Sequence, residues 1–307
     1  MMKGAGMTGW LDPETFDVPV DGGDLRVARW GHDGSVVLAL HGITASHMTW
    51  PWVARELQDD MQVIAPDLRG RGGSRELPGP FGMKRHADDC IAILDHLGVD
   101  KAVVLGHSMG GFVAAVLALH YPERISELIL MDGGIALGEL PPDADVDQLM
   151  TVMLGPAVQR LSMKFDSLES YYDFWRVHPS VQEEGAWNEV FEAYLAYDLM
   201  GEAPELHSKT SKDAVFEDGR DSFTSDDLKR FLDDYPGPVT LLRAPRGLLN
   251  ETPGLYSNDL VKDLTSRYAD LRVVLIEDVN HYTLSTSERG AKLVAEEIRS
   301  VLAAQQA

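Results

Sequence analysis

Residues 101–122, KAVVLGHSMGGFVAAVLALHYP, join a continuous apolar run to a small-residue helix through Gly106-His107-Ser108-Met109-Gly110, which fits G-x-S-x-G. The pattern alone is weak, but its surroundings are specific. KAVVLG reads as a buried strand and GFVAAVLALH as a helix, closed at Tyr121-Pro122 because proline disfavours helical backbone at the residue before it. A strand that turns directly into a helix strains the backbone at the serine. Glycines two before and two after remove the Cβ clashes such a turn would create. Ser108 then stands at a helix N-terminus, where the dipole favours negative charge developing on oxygen. These features make Ser108 a candidate nucleophile.

The same rhythm extends outward. Candidate strands are 15–20, 25–30, 35–40, 61–67, 101–106 and 127–132, followed after residue 235 by 238–244 and 271–278. The later ones are continuous apolar runs, as in parallel strands buried on both faces. The first two, separated by Asp21-Gly22-Gly23, read as an antiparallel hairpin at a sheet edge. Helical segments near 49–58, 84–97, 109–120, 257–269 and 287–304 alternate with them, which implies an α/β fold with a mostly parallel sheet. The stretch 135–235 breaks the alternation. It is rich in aromatics, contains no convincing buried strand, and reads as a helical insertion. Residues 139–234 hold 22 acidic and 8 basic side chains, so most of the net charge of −22 belongs to this insertion.

The chain resembles the α/β-hydrolase family over nearly its whole length. Besides the Ser108 motif, the resemblance rests on His41-Gly42-Ile43-Thr44 after the third strand. It rests also on Pro66-Asp67-Leu68-Arg69-Gly70, with Gly72 and Ser74, after the fourth. It implies an eight-stranded, mostly parallel sheet with a helical cap inserted after strand 6. The core is then 1–134 and 236–307, and the cap 135–235. It also makes the 41–44 segment an oxyanion loop, with backbone N–H groups of Ile43 and Met109 as donors and the Thr44 hydroxyl as an optional third. The Asp67–Arg69 loop becomes a structural neighbour of the site.

The expected general base is His281, in a loop directly after the last apolar strand, where imidazole can take the proton of Ser108. His107 is expected to point away into packing, and His41 to hydrogen-bond backbone and shape its loop. The acid is less direct. Most family members carry an aspartate soon after the seventh strand, but here that region reads RAPRGLLNE, residues 243–251. Asn250 and Glu251 occupy the expected position. Asp132, at the end of the sixth strand and followed by two glycines, is the alternative. Its spacing resembles that of relatives with the acid on this strand, such as haloalkane dehalogenases and some lactone hydrolases. We favour Asp132. Asp88 and Asp89, with Lys84 and Arg85, read as a solvated helix face. Cys90 reads as an inert core residue.

The expected activity is serine-dependent cleavage of carboxylic esters or lactones of small apolar or aromatic substrates through an acyl-enzyme. C–C bond hydrolysis, perhydrolysis and a non-catalytic receptor role are the alternatives. The aromatics and Met150, Met153 and Met163 of the insertion suit an apolar substrate, although they equally suit the insertion's own core. The acidic balance disfavours nucleic acid and anionic lipid. A single cysteine excludes a disulfide framework and a cysteine-based zinc site. No cofactor or metal is expected. No apolar run is long enough to span a membrane, and the start MMKGAGMTGW has no leader-like apolar stretch. A cytoplasmic protein acting on a small molecule is the expectation, with oligomeric state left open.

Overall fold

The computed structural model describes residues 9–305 other than Glu139 and Pro142. The first eight residues, most of the stretch read for a leader, lie outside the described residues. Eight strands form one sheet: β1 (Glu14–Val20), β2 (Gly23–Trp30), β3 (Ser35–Leu40), β4 (Met61–Pro66), β5 (Ala102–His107), β6 (Ile125–Met131), β9 (Val239–Arg243) and β10 (Leu271–Leu275). β7 (Leu199–Met200) and β8 (His207–Ser208) make a separate two-residue ladder. The sheet order is β1-β2-β4-β3-β5-β6-β9-β10, antiparallel at β1–β2 and β2–β4 and parallel elsewhere. This is the eight-stranded, mostly parallel sheet expected from the sequence.

The apolar runs are continuous because both faces are covered. Along β3, Leu38 and Leu40 join the core beneath α2 (Met83–His96) and α3 (Met109–His120). Val37 and Ala39 join the opposite core, beneath α1 (Pro51–Leu57) and α12 (Glu288–Gln305). Burying each such side chain on either face contributes about 1.5–3 kcal/mol. α10 (Asn258–Arg267) links β9 to β10, and the short α11 (Thr283–Thr286) precedes α12.

Between β6 and β9 run α4 (Val146–Leu154), α5 (Pro156–Gln159), α6 (Leu168–Arg176), α7 (Glu189–Asp198), α8 (Lys212–Thr224) and α9 (Asp226–Asp234). The segment is thus helical apart from the β7–β8 ladder and a bridge between Phe165 and Leu206. Its aromatics largely serve its own packing. Tyr171, Trp175 and Phe191 are fully buried, with Trp175 edge-on to Phe191 at 5.9 Å between ring centroids.

One sequence expectation is corrected here. Asp89 is not on a solvated face: it is buried and accepts two hydrogen bonds from Arg69, Nε to Oδ2 at 3.0 Å and Nη2 to Oδ1 at 2.8 Å. Helical spacing pairs Lys84 with Asp88, but it could not reveal that the loop after β4 brings a guanidinium onto the next residue. Asp67 and Arg69 are both structural. Asp67 accepts from His47, from Gly73 N–H and from the Tyr197 hydroxyl. Burial opposes its ionisation, but the paired His47 imidazole and these donors hold its carboxyl well below the usual range. Cys90 is buried, and burial raises its thiol pKa.

Candidate active site

Ser108 lies between β5 and α3 with φ +55° and ψ −122°, a conformation disfavoured for a side chain with a Cβ. The surroundings leave it little choice. A Cβ on Gly106 would fall 2.2 Å from the Gly110 carbonyl oxygen, and one on Gly110 would fall 2.1 Å from that of Leu40. Only glycine at these positions lets strand, helix and β3 approach so closely. Ser108 N–H donates to Met131 O at 2.9 Å, tying the turn to the end of β6.

Asp132 follows β6 directly, also at positive φ (+46°), and is fully buried. Its Oδ1 accepts from Ala244 N–H at 3.2 Å, and its Oδ2 lies 2.8 Å from His281 Nδ1. His281 is fixed from both sides, since its N–H donates to Arg246 O at 3.0 Å and its carbonyl accepts from His107 Nε2 at 2.8 Å. An imidazole whose Nδ1–H faces a carboxylate presents an unprotonated Nε2. His281 and Ser108 line one cavity, together with Gly42, Ile43, Thr44 and His107.

The structure does not bring Glu251 or Asn250 to His281. The exposed Glu251 carboxylate accepts from Leu249 N–H at 2.7 Å, closing its own loop. Asn250 Oδ1 accepts from Asn280 Nδ2 at 3.3 Å, one residue short of the histidine. His107 departs from expectation as well. It is buried but does not point away, because its ring packs 4.7 Å from that of His281 while its Nε2 bonds to the His281 carbonyl. His41 does bond backbone, accepting from Leu68 N–H at 2.9 Å on Nε2, with Nδ1 2.7 Å from Gly42 O.

Ile43 and Met109 flank Ser108 in a second cavity. Met109 is the first residue of α3, so its N–H has no intrahelical acceptor. The carbonyls of the 41–44 loop are held by two buried arginines. Arg71 Nε donates to Ile43 O at 2.9 Å, and Arg160 Nη2 donates to Thr44 O at 2.7 Å. Each guanidinium has its counter-charge in the helical segment: Asp218 on α8 for Arg71, and Asp198 on α7, 3.3 Å away, for Arg160. Asp218 also accepts from His86 Nε2 at 3.0 Å and Gly82 N–H at 2.6 Å. Burial works against its charge, yet His86 and Arg71 hold its carboxyl well below the usual range. Sequence reasoning missed these residues. Arg71 sits inside the loop motif after β4, which was a usable signal, but Arg160, Asp198 and Asp218 carry no local pattern.

A family model described as alpha/beta hydrolase fold matches residues 35–162. Among solved structures, E-2-(acetamidomethylene)succinate hydrolase superposes with a TM-score of 0.72 at 20% identity, over 94% of this chain and 98% of that one. The chain has the α/β-hydrolase fold.

Curated relatives of this chain include lipase LipV of Mycobacterium tuberculosis, 37% identical over 115 residues, which are 37% of this chain and 43% of that protein. They also include 3-oxoadipate enol-lactonase 2 of Acinetobacter baylyi, 38% identical over 116 residues, covering 38% of this chain and 43% of the relative. The match thus spans less than half the length of each of these relatives. Among the described residues, no cluster of three or more His, Cys, Asp or Glu side chains is placed to hold a metal ion. No helix among them is long and apolar enough to cross a membrane.

The fold carries an acid-sensitive element beside the site. Burial pushes His41 down to about 3, and pushes His107 well below its ordinary value. Both stay neutral when folded, while the unfolded chain takes up protons near pH 6.5. Their contribution is complete above that pH and is lost as the pH falls towards their folded values. Between pH 7 and pH 5 unfolding is expected to become easier by about 2 kcal/mol through His41, with His107 acting in the same direction. Urea denaturation at both pH values checks this, and an unchanged unfolding free energy would refute it.

Proposed function

We propose that this protein is a serine hydrolase that cleaves carboxylic esters or lactones through an acyl-enzyme. The observation that carries the reading is the His281–Asp132 pair at 2.8 Å, beside a cavity that His281 shares with the strained Ser108. Asp132 holds His281 in the tautomer whose Nε2 accepts the Ser108 proton. Oγ then attacks the substrate carbonyl, and the oxyanion takes hydrogen bonds from Ile43 and Met109 N–H. Such donors are fixed before the charge forms, and losing one costs about 10²–10³ in rate. Imidazolium at His281 protonates the leaving group. Water, deprotonated by the same nitrogen, then releases the acid from Ser108.

Residues 135–235 act in this reading as a cap over a core formed by 1–134 and 236–307. The cap supplies Tyr194 and Leu154 to the cavity shared by Ser108 and His281. The names of the lipase and enol-lactonase relatives support ester and lactone chemistry. An apolar pocket and an acidic surface favour neutral substrates over anionic ones.

The test is incubation with a fluorophosphonate probe and a panel of aryl esters and lactones. Stoichiometric labelling of Ser108, located by peptide mass spectrometry, and turnover of at least one class are expected. No labelling and no turnover across the panel would refute the reading.

A further inference from the structure

Two cavities meet at Ser108, and they differ in the side chains that line them. The first is the one His281 lines. It also presents Thr49, Ser285 and Thr286. The second is walled by Met109, Phe112, Met150, Met153, Leu255 and Phe223, together with Asp132. His281 does not line it. Leu154, Leu248 and Ile43 border both.

The direction of the substrate follows from the proton. If Ser108 and His281 act as proposed above, His281 must protonate the leaving-group oxygen, so the alcohol portion occupies the compartment that His281 faces. The acyl portion, bonded to Ser108 and turned away from His281, occupies the second, along Met109, Phe112, Met150 and Met153. Two buried polar atoms in the alcohol compartment have no hydrogen-bond partner: Thr49 Oγ1 and His107 Nδ1. Thr49 is 2% exposed and His107 6%. Since His107 Nε2 donates to the His281 carbonyl, Nδ1 of the neutral ring is an acceptor. Buried polar atoms are rarely left unpaired, and a hydroxyl-bearing ligand would satisfy what an alkyl group would not.

Ala136, Gly138, Ser222 and Phe223 border the acyl compartment and also border a surface groove. That groove continues over Leu228, Phe231, Leu260 and Leu264, and Phe223 is part of the wall it shares with the acyl compartment. We infer that the preferred substrate is an ester of an elongated apolar carboxylic acid with a small, hydroxyl-bearing alcohol. The chain lies along Met150, Met153 and Phe223, and the alcohol hydroxyl meets Thr49 and His107. This inference rests on the serine-hydrolase reading but goes beyond it.

A pair of isomers tests the orientation directly: 2-hydroxyethyl octanoate and octyl hydroxyacetate carry the same atoms with chain and hydroxyl exchanged across the ester. The hydroxyacetate is intrinsically the more reactive, so a preference for the octanoate must come from the protein. A kcat/KM at least tenfold higher for 2-hydroxyethyl octanoate is expected. Phe223→Trp, which narrows the acyl compartment, should lower the ratio of octanoate to acetate turnover at least tenfold. Thr49→Val should remove most of the preference for 2-hydroxyethyl octanoate over ethyl octanoate. Equal turnover of the isomers, preference for octyl hydroxyacetate, or turnover of neither, with Ser108 still labelled by fluorophosphonate, would overturn this inference and leave the serine-hydrolase reading standing. Failure of labelling together with failure on all esters would take both down. Were either variant to misfold, the wild-type isomer comparison alone decides.

Discussion

Ser108→Ala is expected to lower kcat for any ester the wild type turns over by about 10⁶, the scale on which removing the nucleophile of a cooperating serine–histidine unit acts. The loss should appear in kcat rather than KM, because the cavity walls that bind substrate are untouched. Alanine meets the same backbone demand at φ +55°, and the glycine contacts that impose it remain, so the fold should survive. Steady-state kinetics on an aryl ester, with circular dichroism on the same sample, checks both halves. A loss of less than about 10² in folded protein would mean that another group attacks the carbonyl.

The second large effect concerns the acid. Asp132→Asn should lower kcat by about 10⁴. The side-chain carbonyl of asparagine can still accept from Ala244 N–H, as Oδ1 does at 3.2 Å. Its amide then turns a donor towards His281 Nδ1, which forces the imidazole proton onto Nε2. That nitrogen can no longer accept from Ser108. Glu251→Gln should change kcat less than threefold, because its carboxylate closes its own loop and does not reach the imidazole. The reverse pattern, with Asp132→Asn near wild type and Glu251→Gln inactive, would move the acid to the loop after β9. In a Ser108→Ala background Asp132→Asn should add almost nothing, since the groups act as one unit.

The legible parts of this molecule are those whose causes are local. The strand, turn and helix around Ser108 are specified by two glycines and an apolar run within one stretch of chain, and the alternation around them specifies the parallel sheet. The place of His281 at the end of the sheet was legible because it lies in the loop after β10 (Leu271–Leu275). The choice between Asp132 and the Asn250–Glu251 position was not settled by order along the chain, since both precede His281. It depends on the sheet order placing β6 beside β9, so that Ala244 N–H meets Asp132. Asp89 was misread for a related reason: helix periodicity describes neighbours on one helix, and its partner Arg69 arrives from a loop. Arg160, Asp198 and Asp218 were invisible because each finds its partner only in the folded chain, and Arg71, though inside the loop motif after β4, showed its place there but not its partner. Arg71 and Asp218 are 147 residues apart.

Those same pairs set terms for anyone who would re-engineer the molecule. Exchanging the helical segment for one of different specificity would look like changing a pocket wall, yet Asp218 is the buried counter-charge of Arg71 and Arg160 the donor to Thr44. A graft lacking the acid would strand a buried guanidinium, a change that typically costs about 3–5 kcal/mol. A graft lacking the arginine would free the carbonyl at one end of the loop beside Ser108. Chimeras of this scaffold therefore inherit or lose loop rigidity along with specificity. Those that keep an acid on α8 and an arginine after α5 are the ones placed to keep both.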